Sequence, residues 1–145
     1  VLQAANGKVP AYVDSGLNVV HVDDVAEGHY LALQKGKEGE KYILGGENLS
    51  LLEILTMIAE VSGRNPPTIQ LPHDLILPFA YIAEIWAKYI SGKEPFANVD
   101  SVKMSRKPMY YSSNKAITEL GYRARSAKEA FIDSINWFKD HGYIN

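Results

Sequence analysis

Two runs near the start of the chain, residues 9–13 and 17–22, are dense in β-branched and aromatic side chains, as half-buried strands are. Asp14-Ser15-Gly16 between them supplies a glycine where a hairpin loop needs positive φ, so the pair predicts a β-hairpin. The period then changes. Val25, Ala26, His29 and Leu33 recur at helical spacing as far as Lys35-Gly36, with Asp23 placed to cap the helix. Residues 41–45 form a short buried-strand candidate between glycine-containing turns. Ser50-Leu51-Leu52-Glu53 is a capping box, and the helix it opens carries Leu51, Ile54, Leu55, Ile58 and Ala59 on one face and stops at Gly63.

Asn65-Pro66-Pro67 breaks the chain before an extended run over residues 68–71. The next helix is expected to begin at His73 or Asp74 and to run to Ser91, kinked at Pro78. Residues 92–108 carry weaker signals, a loop with a short helix over 99–104. Residues 113–120 form a short helix closed by Gly121, and Ser126-Ala127-Lys128-Glu129 is a second capping box. Ala130, Phe131, Ser134, Ile135 and Phe138 mark the buried stripe of the last helix. A hairpin, single strands and several helices are too few parallel strands for a complete doubly wound sheet, so something to pack against is missing.

Composition narrows the classes. A chain of 145 residues with 46% hydrophobic and 22% charged residues is one ordinary globular unit. A formal net charge of -2 provides no basic footprint, so neither nucleic acid nor an anionic membrane is an expected partner. The absence of cysteine excludes a disulfide framework, a thiolate zinc site and a cysteine nucleophile. The longest apolar stretch, residues 75–90, is interrupted by Pro78, Glu84 and Lys88 and is too short and polar to span a membrane. The beginning of the chain lacks a methionine and a signal pattern, which is expected of a cut inside a longer protein.

A dinucleotide cradle needs spaced glycines at a helix start, and the chain has no Gly-x-Gly; Gly45-Gly46 is expected to be a turn. Two Tyr-x-x-x-Lys strings occur, Tyr89 to Lys93 and Tyr111 to Lys115. Gly92 ends the helix inside the first, and the second starts before its helix does, so neither pair is expected to share a helix face or act in catalysis. His21, His29, His73 and His141 lack ligand spacing, and no metal site is expected. His21 at a strand end is either a packed, hydrogen-bonded ring or a functional one. Arg106 and Lys107, followed by Pro108-Met109-Tyr110-Tyr111, offer charge and stacking to an anionic or aromatic ligand, or else form a solvated loop.

The run Gly16-Leu17-Asn18-Val19-Val20-His21-Val22-Asp23-Asp24-Val25-Ala26 resembles a strand and helix of the extended short-chain dehydrogenases, the NAD-dependent epimerase/dehydratase superfamily. Later signposts follow in that family's order: residues 41–48 with a capped helix, Ser113-Asn114-Lys115-Ala116 leading to Glu119-Leu120-Gly121-Tyr122, and a last helix ending Trp137-Phe138. Val9-Pro10-Ala11-Tyr12-Val13-Asp14 and Gly92-Lys93-Glu94-Pro95 look like the branch of hopanoid-associated sugar epimerases, often grouped with dihydroflavonol 4-reductases.

The resemblance implies an α/β fold class: the mostly helical, C-terminal substrate-binding part of a Rossmann-type enzyme, with a β-hairpin and a few short strands. It implies NAD or NADP in the parent protein, bound by an N-terminal Rossmann domain that this chain lacks. Residues 1–145 then form one substrate-binding domain with no catalytic residue, inactive by itself. Tyr12 and Asn18 of the hairpin, His21 at its end, and Arg106, Lys107 and Met109 would face a small-molecule substrate, a sugar derivative or a flavonoid-like ketone. Leu17 stands where sugar-nucleotide epimerases commonly place an arginine, which favours a less charged substrate. The resemblance further implies a cytoplasmic protein whose residues 1–34 pack on the missing Rossmann domain, so that the isolated chain self-associates. The alternative is a stand-alone, non-catalytic ligand- or protein-binding domain built on the same fold.

Overall fold

A computed structural model describes residues 1–78 and 99–144. The elements are α1 (Leu2–Ala5), β1 (Ala11–Tyr12), β2 (Gly16–Val19), α2 (Val22–Lys35), β3 (Glu47–Ser50), α3 (Leu51–Ser62) and β4 (Ile69–Gln70). After them come α4, helical over residues 73–78, then α5 (Val99–Met104), α6 (Asn114–Leu120) and α7 (Ala127–Asp140). The expected extent of α4 to Ser91 lies outside the described residues, as do Tyr89 to Lys93 and Gly92 to Pro95.

The local signals for α3 and α7 are realised. The Ser50 hydroxyl accepts from Glu53 N–H, and the Glu53 carboxylate accepts from the Ser50 amide at 2.7 Å, so two orphan donors are satisfied. Gly63 closes α3 in the left-handed region at φ 68°. At α7 half of the expected box forms: the Ser126 hydroxyl accepts from Glu129 N–H, but the Glu129 carboxylate accepts from that hydroxyl and not from the Ser126 amide. The faces of α3 and α7 meet, with α1 across them, in a core of Ile54, Ile58, Phe131 and Ile135 joined by Ala5, Leu49, Ala127 and Ile144.

The expected hairpin does not form. β1 pairs in parallel with β4 (Ala11↔Ile69, Tyr12↔Gln70), and β2 pairs antiparallel with β3 (Gly16↔Ser50, Leu17↔Leu49, Asn18↔Asn48, Val19↔Glu47). Gly16 is not at positive φ. A Cβ there would stand 2.3 Å from the Tyr110 hydroxyl, so this glycine serves close packing, not a turn. Residues 41–45, expected as a strand, do not form one, and the strand falls at 47–50 instead. Among the described residues no hydrogen bond engages the backbone of 41–44, which has no neighbouring strand.

α2 departs from expectation on two counts. Its N-cap is His21, whose ring accepts from Asp23 N–H, and not Asp23. Its buried side runs through Asp24 and Gly28, with Leu31 and Ala32 half-buried, while Ala26, His29 and Leu33 of the predicted stripe are exposed. The reason is Gly28, where a Cβ would strike Leu44 at 2.7 Å and Tyr122 at 3.1 Å, so the helix seats by its smallest residue. This contact belongs to a second cluster of Ala116, Leu120 and Tyr122 with Leu31, Ala32, Tyr42 and Leu44. A third is small: Val102 of α5 on Ile76 and Leu77.

Candidate functional site

β2 organises the predicted site residues. On one edge it pairs with β3; on the other, Met109 N–H donates to Gly16 C=O at 2.8 Å and Leu17 bridges Met109 in parallel. The loop after Lys107 is therefore pinned against the strand that carries Asn18. The Asn18 amide nitrogen donates to Gly46 C=O at 3.1 Å and to Asn48 Oδ1 at 2.7 Å, and Asn18 Oδ1 accepts from Gly46 N–H at 2.9 Å. Asn48 in turn holds Tyr111 through both of its backbone groups. Both donors of Asn18 are thus spent within the fold, leaving lone-pair capacity on Oδ1 for a ligand. Leu17 packs against the main core, an environment unsuited to a guanidinium.

Tyr12 is half-buried in β1, where its carbonyl accepts from Leu71 N–H at 2.8 Å. Arg106 pairs with Asp74 at the start of α4, an exposed contact that ties the 106–109 loop to that helix. Lys107 is exposed, with its backbone N–H on Met104 C=O. The structure thus links Asn18 with Met109 through β2, and Tyr12 with Arg106 through residues 69–74.

His21 stands apart from both pairs. It is buried, its Nδ1 accepts from Asp23 N–H at 3.1 Å, and its Nε2 lies 3.0 Å from Asp133 Oδ2. An accepting Nδ1 places the ring proton on Nε2, which donates to Asp133, so in the neutral ring both nitrogens are engaged. The ring lines a largely apolar cavity of about 540 Å³ with Val19, Val22, Phe131, Trp137 and Phe138. A second, more polar cavity of about 350 Å³ is lined by Gly45, Asn48, Tyr111, Asn114 and Arg125. Tyr122 borders it, but its phenol oxygen is fully buried and without a hydrogen-bond partner. Burial, with the nearby Asp24 charge second, pushes that phenol's pKa above its ordinary value.

Two polar clusters escaped the sequence reading. Buried Asp24 receives Arg125 three times at 2.8 Å, from the backbone N–H, Nε and Nη2, tying α2 to the turn before α7. The Ser113 hydroxyl accepts from Gly45 N–H at 2.9 Å and donates to Gly45 C=O at 3.0 Å, so it binds a segment distant in sequence instead of capping α6. The available signal was the adjacent acidic pair Asp23-Asp24, but which of the two faces inward depends on a partner 101 residues away.

Gly45 and Gly46 do not form a cofactor cradle. A Cβ on Gly45 would meet Asn18 Oδ1 at 2.5 Å, and one on Gly46 would meet Val19 C=O at 2.3 Å; the space beside each is already filled by protein. Lys115 does not pair with Tyr111. It binds Glu40 and lies 4.8 Å over the Tyr42 ring, and the Glu40 contact raises its pKa. A lysine serving a phenol acid in a Tyr-x-x-x-Lys pair must instead face that tyrosine. Among the described residues no group of three His, Asp or Glu side chains is placed to hold a metal, and no helix is long and apolar enough to cross a membrane.

No family model matches the chain. A Synechocystis protein named "Putative dihydroflavonol 4-reductase" is 42% identical over 99% of this chain and 43% of its own length. The crystal structure of gox2253 is 48% identical and superposes with a TM-score of 0.79, over 99% of this chain and 43% of that one. A nucleoside-diphosphate-sugar epimerase from Pseudomonas aeruginosa, 26% identical, superposes with a TM-score of 0.78 over 99% of this chain and 42% of that structure. The chain thus spans less than half the length of the relatives it matches. Its α/β fold, rich in helix and poor in strands, is shared with them. By sequence and fold together, the chain matches the NAD-dependent epimerase/dehydratase family over about two-fifths of its relatives' length.

Proposed function

We propose that the chain is the C-terminal, substrate-binding part of an NAD(P)-dependent epimerase/dehydratase or dihydroflavonol-4-reductase-like enzyme, catalytically silent alone. The observation carrying this reading is that nearly all of the chain aligns with about two-fifths of each relative, while its one glycine pair is filled by its own side chains and backbone. NAD or NADP supplies or accepts hydride in such an enzyme, and the residues present here do not fit it. The work of this chain is to bind and orient. Tyr12, Asn18, Arg106, Lys107 and Met109 are the proposed substrate contacts, presented by β1, β2 and the loop pinned to β2. His21 acts at one remove, holding the junction of β2 and α2 through Asp23 and Asp133.

A weakly charged substrate, such as a flavonoid-like ketone, fits this wall better than a nucleoside diphosphate. Leu17 is committed to the core, and Arg106 already faces a carboxylate, which offsets its charge toward an anion. The test is an assay of the 145-residue chain with NADH or NADPH, using a dihydroflavonol and a UDP-sugar in turn, beside calorimetry of each substrate. The expected outcome is no sustained turnover and tighter binding of the uncharged compound. Sustained hydride transfer by the chain alone overturns the reading, and preferential binding of the UDP-sugar overturns its substrate half.

A further inference from the structure

Of the asparagines in the chain, Asn6 alone is followed by glycine; the others precede valine, leucine, proline, lysine or tryptophan, or end the chain. An asparagine amide is lost when the backbone nitrogen of the next residue attacks its Cγ, and a side chain on that next residue shields the nitrogen. Glycine provides no shield. Gly7 is also needed where it stands, because it closes α1 at φ 71°, in the left-handed region that other residues enter only with strain. A Cβ at Gly7 would meet nothing within 4 Å, so solvent has access to this turn. The residue that ends α1 thus leaves its neighbour chemically open.

The fold holds this chemistry in check in three ways. Gly7 N–H donates to Ala4 C=O at 2.9 Å, so the attacking nitrogen is engaged. Asn6 Nδ2 donates to Leu2 C=O at 3.1 Å and to Tyr143 C=O at 3.3 Å, so the leaving amide is held by both of its hydrogens. With ψ at 1°, the Gly7 nitrogen lies well outside the plane of Asn6 Cβ, Cα and carbonyl carbon, in which a five-membered ring must close. All three restraints lapse together when the last turn of α1 opens, and a helix of four residues has little of its own to hold it shut. The Tyr143 contact gives such a change a structural consequence. Tyr143 precedes Ile144, which is buried in the same core cluster as Ala5, so Asn6 ties α1 to the segment that follows α7. Val1, just before α1, lines the apolar cavity of His21.

We propose that Asn6–Gly7 is a self-modification site, gated by the opening of α1, whose conversion unties α1 from the segment after α7. A base in solvent takes the Gly7 amide proton and the nitrogen attacks Asn6 Cγ. The bond from Cγ to Nδ2 breaks, and ammonia leaves with a proton from solvent, giving a cyclic imide. Water then opens the ring. Breaking the bond from the Gly7 nitrogen to Cγ gives aspartate; breaking its bond to the main-chain carbonyl carbon gives isoaspartate, with the chain rerouted through Cβ. In sum one water is consumed and one ammonia released, and nothing is oxidised or reduced. The carboxylate has no hydrogen to donate, so at residue 6 an oxygen comes to face the Leu2 and Tyr143 carbonyl oxygens in place of a donor.

The test is incubation of the 145-residue chain in mildly alkaline buffer, with and without urea, followed by peptide mapping at every asparagine. Expected is conversion at Asn6 before any other asparagine, to both aspartate and isoaspartate, and at least about tenfold slower without urea than with it. Asn6→Gln, whose longer arm closes a ring far more slowly, should show no conversion at residue 6. The converted protein, and the Asn6→Asp variant that carries one product from the start, should exchange the Ala5 and Tyr143 amides for deuterium faster than the unconverted chain, because both amides are bonded to carbonyls within the untied segments. Earlier conversion at another asparagine, or equal rates with and without urea, overturns the gated site. Conversion at Asn6 with unchanged exchange at both amides overturns the untying of α1.

Discussion

α3 and α2 are helices of 12 and 14 residues, each with a stripe predicted along one face, five apolar residues in α3 and three with a histidine in α2, and they end in different surroundings. Every residue of the predicted α3 stripe is buried or half-buried, met by α7, α1 and β3. α2 hides Asp24 and Gly28 and leaves Val22, Ala26, His29 and Leu33 in solvent. Periodicity alone does not say whether the partner of a face lies within the same chain. The predicted stripe of α3 is covered; that of α2 is mostly exposed.

This contrast can be broken by mutation. Phe131→Ala, in the core shared by α3 and α7, is expected to cost about 3–5 kcal/mol in urea unfolding, because a large side chain is removed from a site with little room to collapse. A cost near zero would show that α3 and α7 do not form a packed core. Asp24→Ala is expected to cost about 2–3 kcal/mol, since Arg125 loses three bonds but remains open to water on one side. Leaving both urea midpoint and slope unchanged would mean that α2 is held by Gly28 and its apolar contacts alone.

Ser50→Ala removes the α3 cap and should cost about 1 kcal/mol. The same cap has a pH signature. Hydrogen bonds from Ser50 hold the Glu53 carboxyl below its ordinary pKa, so its stabilisation is present above the unfolded-state value and is lost as pH falls through the folded one. Ser50→Ala should therefore flatten that part of the acid limb of a pH–stability curve; an unchanged slope removes Glu53 as its source. Tyr122 works at the other end. Its raised phenol pKa gives stability that is complete below the unfolded value near 10 and is lost as pH rises through the folded one. Tyr122→Phe should abolish that alkaline loss, read by thermal melts across the alkaline range.

The smallest expected effect is the sharpest test of the contrast. Leu33→Ala in the chain alone should change stability by less than about 0.5 kcal/mol, although the residue lies in a predicted apolar stripe. A loss comparable with that at Phe131 would mean that the α2 face is covered after all.

What was legible divides by range. The caps at Ser50 and Ser126, the left-handed glycines Gly63 and Gly121, and the α3 and α7 stripes were readable because each is a contact among residues three or four apart. The candidate site was partly legible: Met109 does lie against the strand of Asn18, whereas His21 lines a cavity that neither of them lines, with its ring engaged. Missed altogether were the Asp24–Arg125 clamp and the Ser113–Gly45 link, whose polar side chains look from sequence like a helix's first turn and an ordinary cap.

By itself, then, the order of residues determined where most helices begin and end, the start of α2 excepted, which faces are apolar, and the family that the chain matches. Tertiary structure alone decided which strands pair, sending β1 to β4 and β2 to β3, because strand hydrogen bonds come from whichever backbone edge is nearest in space. It also decided which face of α2 is covered, because a buried carboxylate and a glycine that admits close approach outweighed a line of larger apolar side chains.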